Sequence, residues 1–354
     1  MLQIQNISKD MGEFFLDHAS LEISKGEYIV IIGPTGAGKT ILLETVAGIY
    51  EPDGGSIHLD GNDITYAPPK DRNITMVYQD YMLFPHLTIR KNIAFGLRSK
   101  KIQVGEINKA VEKYAGMLHI AHLLHRYPDT LSGGEQQRAA IARAMVMNPW
   151  ALLLDEPLSA LDAKTRENLR RELKSLHDIT KTTIIHITHN FEEVFDLADR
   201  VAIMNEGKII QVGTPDEIFR KPKNHFVAEF VGATNIFKGT STAENGIVHI
   251  SIDNFIVRAH SEVEGNVYIS VRPEEILIST EPLASPIRNA FPGKICDIRH
   301  CGAMIRLIVD VGVTLVVALT RQGFEEAKLG IGDSVYIAFK ATSVHVFPGK
   351  STKE

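Results

Sequence analysis

Residues 33–40 read Gly33-Pro34-Thr35-Gly36-Ala37-Gly38-Lys39-Thr40, with three glycines, a cation and two hydroxyls in eight consecutive positions. An apolar run at 28–33 precedes them and a helix-forming stretch follows. In that context the glycines let backbone N–H groups turn inward around phosphate oxygens, and the helix start adds the positive end of its dipole. Lys39 is expected to reach the β- and γ-phosphates of a nucleotide, and Thr40 to set its hydroxyl on Mg²⁺. The run ALLLDE at 151–156 supplies the complement. Asp155 at the strand end can hold Mg²⁺ through water, and Glu156 is positioned to polarise an attacking water as a general base.

A second anion-ready turn lies at 131–138, LSGGEQQR. Ser132, Gly133 and Gly134 before a helix offer a hydroxyl, two unhindered amides and a dipole. Two such turns in one chain call for a scaffold that holds both. Residues 1–230 alternate apolar runs with amphipathic segments, the pattern of an α/β fold. Buried strands are expected at 28–33, 74–79, 151–156, 182–188 and 201–204. Helices are expected to begin near Lys39, Gly105, Gly134, Ala163 and Asn190.

Composition bounds the possibilities. The 354 residues carry 44% hydrophobic side chains and a formal net charge of −5, so nothing in the total draws the chain towards nucleic acid. The two cysteines, Cys296 and Cys301, suit a reducing compartment and read as buried or half-buried thiols in a strand and turn. No run approaches the ~20 apolar residues of a membrane span, and the start, MLQIQNISKD, alternates like a strand rather than a signal peptide. The expected location is the cytoplasm, with any work at a membrane done through a partner.

Taken together, GPTGAGKT, Gln79 in VYQD, LSGGEQQR, LLLDEP, SALD and the THN triplet resemble the ATP-binding subunit of ABC transporters, in the family's order, across residues 1–230. The resemblance implies an α/β P-loop ATPase that uses ATP and Mg²⁺. It implies that Ser132, Gly133 and Gly134 contact the γ-phosphate of a nucleotide held by a second subunit, hence a head-to-tail homodimer. By the same matching Gln79 senses Mg²⁺ and the attacking water, His189 is the switch histidine at the γ-phosphate, and Asp162 links the two sites. His186 is expected to be a strand residue of no special role. The turn 81–86 (YMLFPH) falls where the family docks the coupling helix of its integral-membrane permease subunits. Met11 takes the position of the ring that stacks on adenine, with Phe14 or Phe15 as substitutes.

After about residue 232 the chain becomes short alternating strands broken by Gly, Pro, Asp and Asn, which reads as an all-β domain built as an OB-like barrel. The expected domains are 1–232 and 233–354, the second divisible into two halves, 233–283 and 284–354. VRPEEILIS resembles the accessory β-domain of importer subunits for sugars, polyamines and oxyanions. The last seventy residues resemble the molybdate/tungstate-binding β-barrel module. A tetrahedral dianion needs a guanidinium, an ammonium and a hydroxyl, and Arg288, Lys340 and Thr320 match those donors. Where the module has a serine two places before the arginine, this chain has Pro286, beside Ser285. The combined expectation is the ATP-hydrolysing subunit of an oxyanion importer, for molybdate or tungstate, slowed by that oxyanion at its C-terminal domain. It would lie peripherally at the cytoplasmic membrane face, serving an extracytoplasmic solute-binding protein indirectly. The alternatives are a sulfate, sugar or polyamine importer and a soluble oxyanion sensor.

Overall fold

The computed structural model describes residues 1–100, 102–244, 247–252, 255–282 and 289–349. The contacts divide the chain into two units, Met1–Pro215 and Asp216–Glu354.

The N-terminal unit is organised by a six-stranded sheet, in the order Lys208–Gly213, Arg200–Asn205, Tyr28–Ile32, Thr183–Ile187, Ala151–Asp155, Ile74–Val77. All neighbours are parallel except the first pair. The three central strands are buried at every position, which is why they read as unbroken apolar runs rather than as alternation. A second, antiparallel sheet pairs Leu2–Asp10 with Phe15–Ile23 and with Gly54–Leu59. Leu2, Ile4 and Ile57 from this sheet share one apolar core with Ile29, Leu153 and Ile185 from the other. Helix Lys39–Ala47 contributes Leu42, Leu43 and Val46 to the same core.

All five expected strands form, and helices begin at Lys39, Val104, Gly133, Ala163 and Phe191. Helix Ile89–Ser99 escaped the sequence reading, although Thr88 caps it by accepting the Lys91 N–H. Loops leave the carboxyl ends of the parallel strands together, where open α/β sheets bind ligands. Gln79, Glu156 and His189 all follow such ends.

The C-terminal unit holds two five-stranded antiparallel sheets. One runs Phe255–Ala259, Ile247–Ile252, Asn235–Glu244, Gly265–Val271, Val344–Pro348. The other runs Leu277–Ser279, Ser334–Phe339, Asn289–Cys301, Met304–Asp310, Thr314–Thr320. Strand pairing crosses the expected division near residue 284 in both directions. The last strand returns to pair with Gly265–Val271, while Leu277–Ser279 crosses to pair with Ser334–Phe339. A single core joins Ile250, Ile269, Leu307 and Ile337.

The boundary also falls earlier than 232. Segment 216–232 packs within the C-terminal unit: Arg272 donates to the Phe219 carbonyl, and a nitrogen of His345 lies 2.9 Å from the Pro222 carbonyl. Two buried asparagines stitch the two sheets, each acting as a one-residue strand partner. Asn235 exchanges bonds of 2.8 and 2.7 Å with the backbone of Val316, and Asn289 does the same with Arg258. Cys296 and Cys301 are free and exposed rather than buried. On the alternating strand Ile295 takes the core side, so its neighbour Cys296 faces out.

Candidate nucleotide site

The loop after Tyr28–Ile32 takes its shape from glycine. Gly36 and Gly38 adopt φ of +81° and +95°, which L side chains resist. Lys39, 8% exposed, donates from Nζ to the carbonyls of Gly33 and Pro34, both at 2.9 Å. Burial pulls its pKa down, while Glu156 and Asp155 push it back up. Thr40 donates its hydroxyl to the Asp155 carboxylate at 3.0 and 3.2 Å. Burial raises the Asp155 carboxyl, and the Thr40 bond opposes that.

Glu156 follows Asp155 in a left-handed conformation, φ 45°, and its N–H donates to Ile187. That turn ends the strand and brings the carboxylate to 3.4 Å from Nδ1 of His189. A cavity of ≈ 320 Å³ is lined by Phe14, Gly36, Lys39, Thr40 and Glu156, among others. The structure thus brings together Lys39, Thr40, Asp155, Glu156 and His189. Gln79 stands in the exposed turn beyond Ile74–Val77. Met11 is exposed and does not line the cavity, whereas Phe14 does, with its ring against Gly38.

Ser132, Gly133 and Gly134 belong to a different place; none of them lines this cavity. Ser132 caps helix Gly133–Met145, and both its N–H and hydroxyl donate to Glu135, at 2.7 and 2.8 Å. Those two bonds hold the Glu135 carboxyl below its ordinary value. A side chain at 134 would sit 2.6 Å from Cγ2 of Thr165, so glycine lets this helix touch helix Ala163–Thr180. Asp162 caps that second helix, accepting the Thr165 N–H at 3.0 Å. Arg138 and Glu172 bridge the pair through a fork of 2.7 and 3.0 Å. Ser132 and Asp162 are therefore carried by one braced pair of helices.

Residues 16–159 match the family described as ABC transporter, and residues 285–346 match the TOBE domain. The molybdate/tungstate import ATP-binding protein WtpC of Pyrococcus horikoshii is 44% identical over 349 residues, covering 98% of this chain and 100% of that protein. The chain belongs to the ABC transporter ATP-binding subunits. A spermidine/putrescine import ATP-binding protein of Protochlamydia amoebophila is 41% identical over 317 residues, 87% of this chain and 85% of its own. Among solved structures, a dimeric ATP-binding cassette in a post-hydrolysis state, bound to ADP and Pi, covers 61% of this chain and 99% of its own at 29% identity and TM-score 0.55. The N-terminal unit is thus a nucleotide-binding cassette with the fold expected from its sequence.

Within this cassette the turn at 81–86 is rigidly prepared, by residues that sequence reasoning missed. Tyr81 and Met82 adopt left-handed φ of 60° and 47°. Arg143, from the helix that Ser132 caps, donates to both their carbonyls at 3.0 and 2.7 Å. Fully buried Asn92 accepts the Phe84 N–H and donates to the carbonyls of Phe84, Leu87 and Thr88. Met82 and Phe95 remain 55% and 50% exposed. Helical spacing alone could not mark Arg143 or Asn92, because their partners are backbone carbonyls around the turn.

In the C-terminal unit, Thr320 caps helix Arg321–Ala327 by accepting the Gly323 N–H, and Lys340 follows strand Ser334–Phe339. Strand pairing sets Thr320 opposite Met304, at the far end of Asn289–Cys301 from the Asn289–Phe339 pair beside Lys340. The register thus leaves these two donors at opposite ends of one strand. Arg288, Pro286 and Ser285 lie outside the described residues. A cavity of this unit, ≈ 840 Å³, is lined by Arg272, Arg306, His260 and His345 but by neither Thr320 nor Lys340. Among the described residues no helix is long and apolar enough to cross a membrane.

Proposed function

We propose that this chain is the ATP-hydrolysing subunit of a molybdate/tungstate importer, working as a homodimer on permease subunits at the cytoplasmic membrane face. The observation that carries the catalytic part is the meeting of Lys39, Thr40, Asp155, Glu156 and His189 at the carboxyl ends of parallel strands. Lys39 and the loop amides hold the phosphates. Thr40 and Asp155, two oxygen donors 3.0 Å apart, suit Mg²⁺, which when bound neutralises phosphate charge. Glu156 accepts a proton from the attacking water, and His189, 3.4 Å away, orients that carboxylate and reaches the γ-phosphate. Gln79, at the end of the neighbouring strand, reports the state of this centre to the turn at 81–86. Exposed Met82 on that turn offers an apolar contact to a permease helix.

Dimerisation follows from the second anion-ready turn. Lys39 already serves this chain's own phosphates, so Ser132 and its glycines are assigned to the nucleotide of a second copy, with Asp162 beside them at the joint. The cargo reading rests on the relatives named for molybdate/tungstate, 44% and 43% identical over nearly the whole chain. Arg288 and Lys340 carry the charge that an oxyanion regulator requires; a polyamine regulator would need the opposite sign. With donors at both ends of one strand, the oxyanion site draws on more than one copy of the chain.

Glu156→Gln tests the core of this reading. ATP binding persists, turnover falls roughly 10³-fold, and the dimer is trapped, as read by light scattering with Mg·ATP. Near-normal hydrolysis would refute the assignment. For the cargo, molybdate or tungstate, unlike spermidine or sulfate, raises the melting temperature of the full chain and slows turnover of the assembled transporter.

A further inference from the structure

Three polar side chains lie in the core of the N-terminal unit, away from the cavity. Tyr28 and His186 are 0% exposed and Glu193 is 2% exposed. The Tyr28 hydroxyl lies 2.9 Å from Nδ1 of His186, on the adjacent strand. Nε2 of His186 lies 3.4 Å from the Glu193 carboxylate, in helix Phe191–Leu197. Burying such groups costs several kcal/mol unless they are paired, and a hydrocarbon core would suffice for packing alone.

Their positions along the chain suggest what the cost achieves. His186 lies three residues before His189 and Glu193 four residues after it, so the pair closes a short loop around the switch histidine. Inside that loop Thr188 accepts the Asn190 N–H at 3.1 Å. Burial would push the Glu193 carboxyl up, yet His186, Thr188 and the Arg166 guanidinium outweigh it and hold it below its ordinary value. Arg166 in turn donates to the carbonyls of Leu158 and Leu161, the turn leading to Asp162.

We propose that Tyr28, His186 and Glu193 act as positioning residues for the reaction, anchoring both ends of the segment that carries His189. The inference rests on the reading of His189 as the switch residue. It assigns His186 a role beyond that of an ordinary strand residue. None of the three touches the cavity, so their loss should alter the rate of cleavage more than the affinity for ATP.

The test is single-turnover ATP cleavage by the full chain, in excess over nucleotide. Glu193→Gln, nearly isosteric, lowers the cleavage rate about tenfold and leaves half-saturation within about twofold. In a His189→Ala chain, already slowed, Glu193→Gln produces no further loss, because the positioned group is gone. Equal slowing in both backgrounds, or wild-type cleavage by Glu193→Gln, overturns the inference while leaving the switch reading intact. Wild-type cleavage by His189→Ala overturns that reading and the inference with it. The variant carrying both His186→Phe and Glu193→Leu separates position from stability. With Tyr28→Phe added so that no buried hydroxyl is left unpaired, it removes all three polar partners, melts at or above the wild-type temperature, and still cleaves slowly; a wild-type rate in that chain refutes the inference.

Discussion

The two units use buried polarity in opposite ways. In the N-terminal cassette, the polar groups of the cavity gather where fully buried strands end: Asp155 closes one strand, Glu156 follows it, and Lys39 follows the loop after another. In the C-terminal unit the fully buried polar pair, Asn235 and Asn289, makes sheet-to-sheet bonds. Its chemically suggestive residues, Thr320 and Lys340, are exposed and separated by the length of a strand. A phosphate site must bring donors within a few ångströms of one ligand, so it needs a local loop. A barrel must join sheets far apart in sequence, and its polar groups serve that closure.

The comparison breaks most visibly at Arg72. This buried guanidinium makes four bonds to backbone carbonyls, those of Ala67, Thr45, Val46 and Thr65. Thr45 and Val46 lie in the last turn of the helix that begins at Lys39, where a cation also suits the dipole. Arg72→Met keeps much of the stem and deletes every bond, so the unit should lose about 3 kcal/mol. Trp150, the chain's one tryptophan, reports this unit in a urea titration followed by fluorescence. A midpoint unchanged from wild type would mean that the helix does not depend on this anchor.

A smaller effect is expected across the barrel. Asn235→Leu leaves the N–H and carbonyl of Val316 without their 2.7 and 2.8 Å partners. The expected loss is about 2 kcal/mol, visible in the far-ultraviolet dichroism of the strands, while the Trp150 transition holds its midpoint. If Trp150 shifted equally, the two uses of polarity would not be separable by unit.

These particulars also explain what the sequence could reveal. The P-loop, the Asp155–Glu156 pair and the Ser132 turn were legible because each is a contiguous run of residue types suited to a strand end or a helix start. The five parallel strands were legible because burial on both faces leaves continuous apolar runs. Strands 15–23 and 54–59 were harder to read. Their alternation is broken by bulges against Leu2–Asp10, and irregular alternation carries little periodic signal. Arg72, Asn92 and Arg143 were invisible for another reason. Each binds backbone carbonyls, whose positions follow from the fold and not from neighbouring residue types. Where the strands of the C-terminal unit find their partners was likewise not legible, because those partners lie far apart in the sequence.

The smallest effect separates the units by pH. His345 is partly buried on the last strand, with Nε2 2.9 Å from the Pro222 carbonyl and its ring 5.6 Å from that of Phe347. A carbonyl only accepts, so Nε2 carries the proton and Nδ1 is the site left to protonate. Burial holds this histidine below its ordinary 6.5; Lys221 adds to that, and the Pro222 bond opposes it. Well above 6.5 the ring is neutral folded or unfolded and stability is independent of pH. As pH falls below that value the unfolded chain takes up a proton that the folded unit resists, so stability declines until the folded pKa is passed. The slope cannot exceed ~1.4 kcal/mol per pH unit for one proton, and partial exposure keeps it below that limit. His345→Gln offers a neutral donor of similar reach and removes the proton. The wild-type-minus-variant difference in the melting temperature of the C-terminal unit should therefore be flat from pH 8 to about 7 and turn against the wild type towards pH 5. A difference that stayed flat would mean that this ring titrates as freely in the folded unit as in the unfolded chain, and one that turned the other way would mean that folding favours its protonated form.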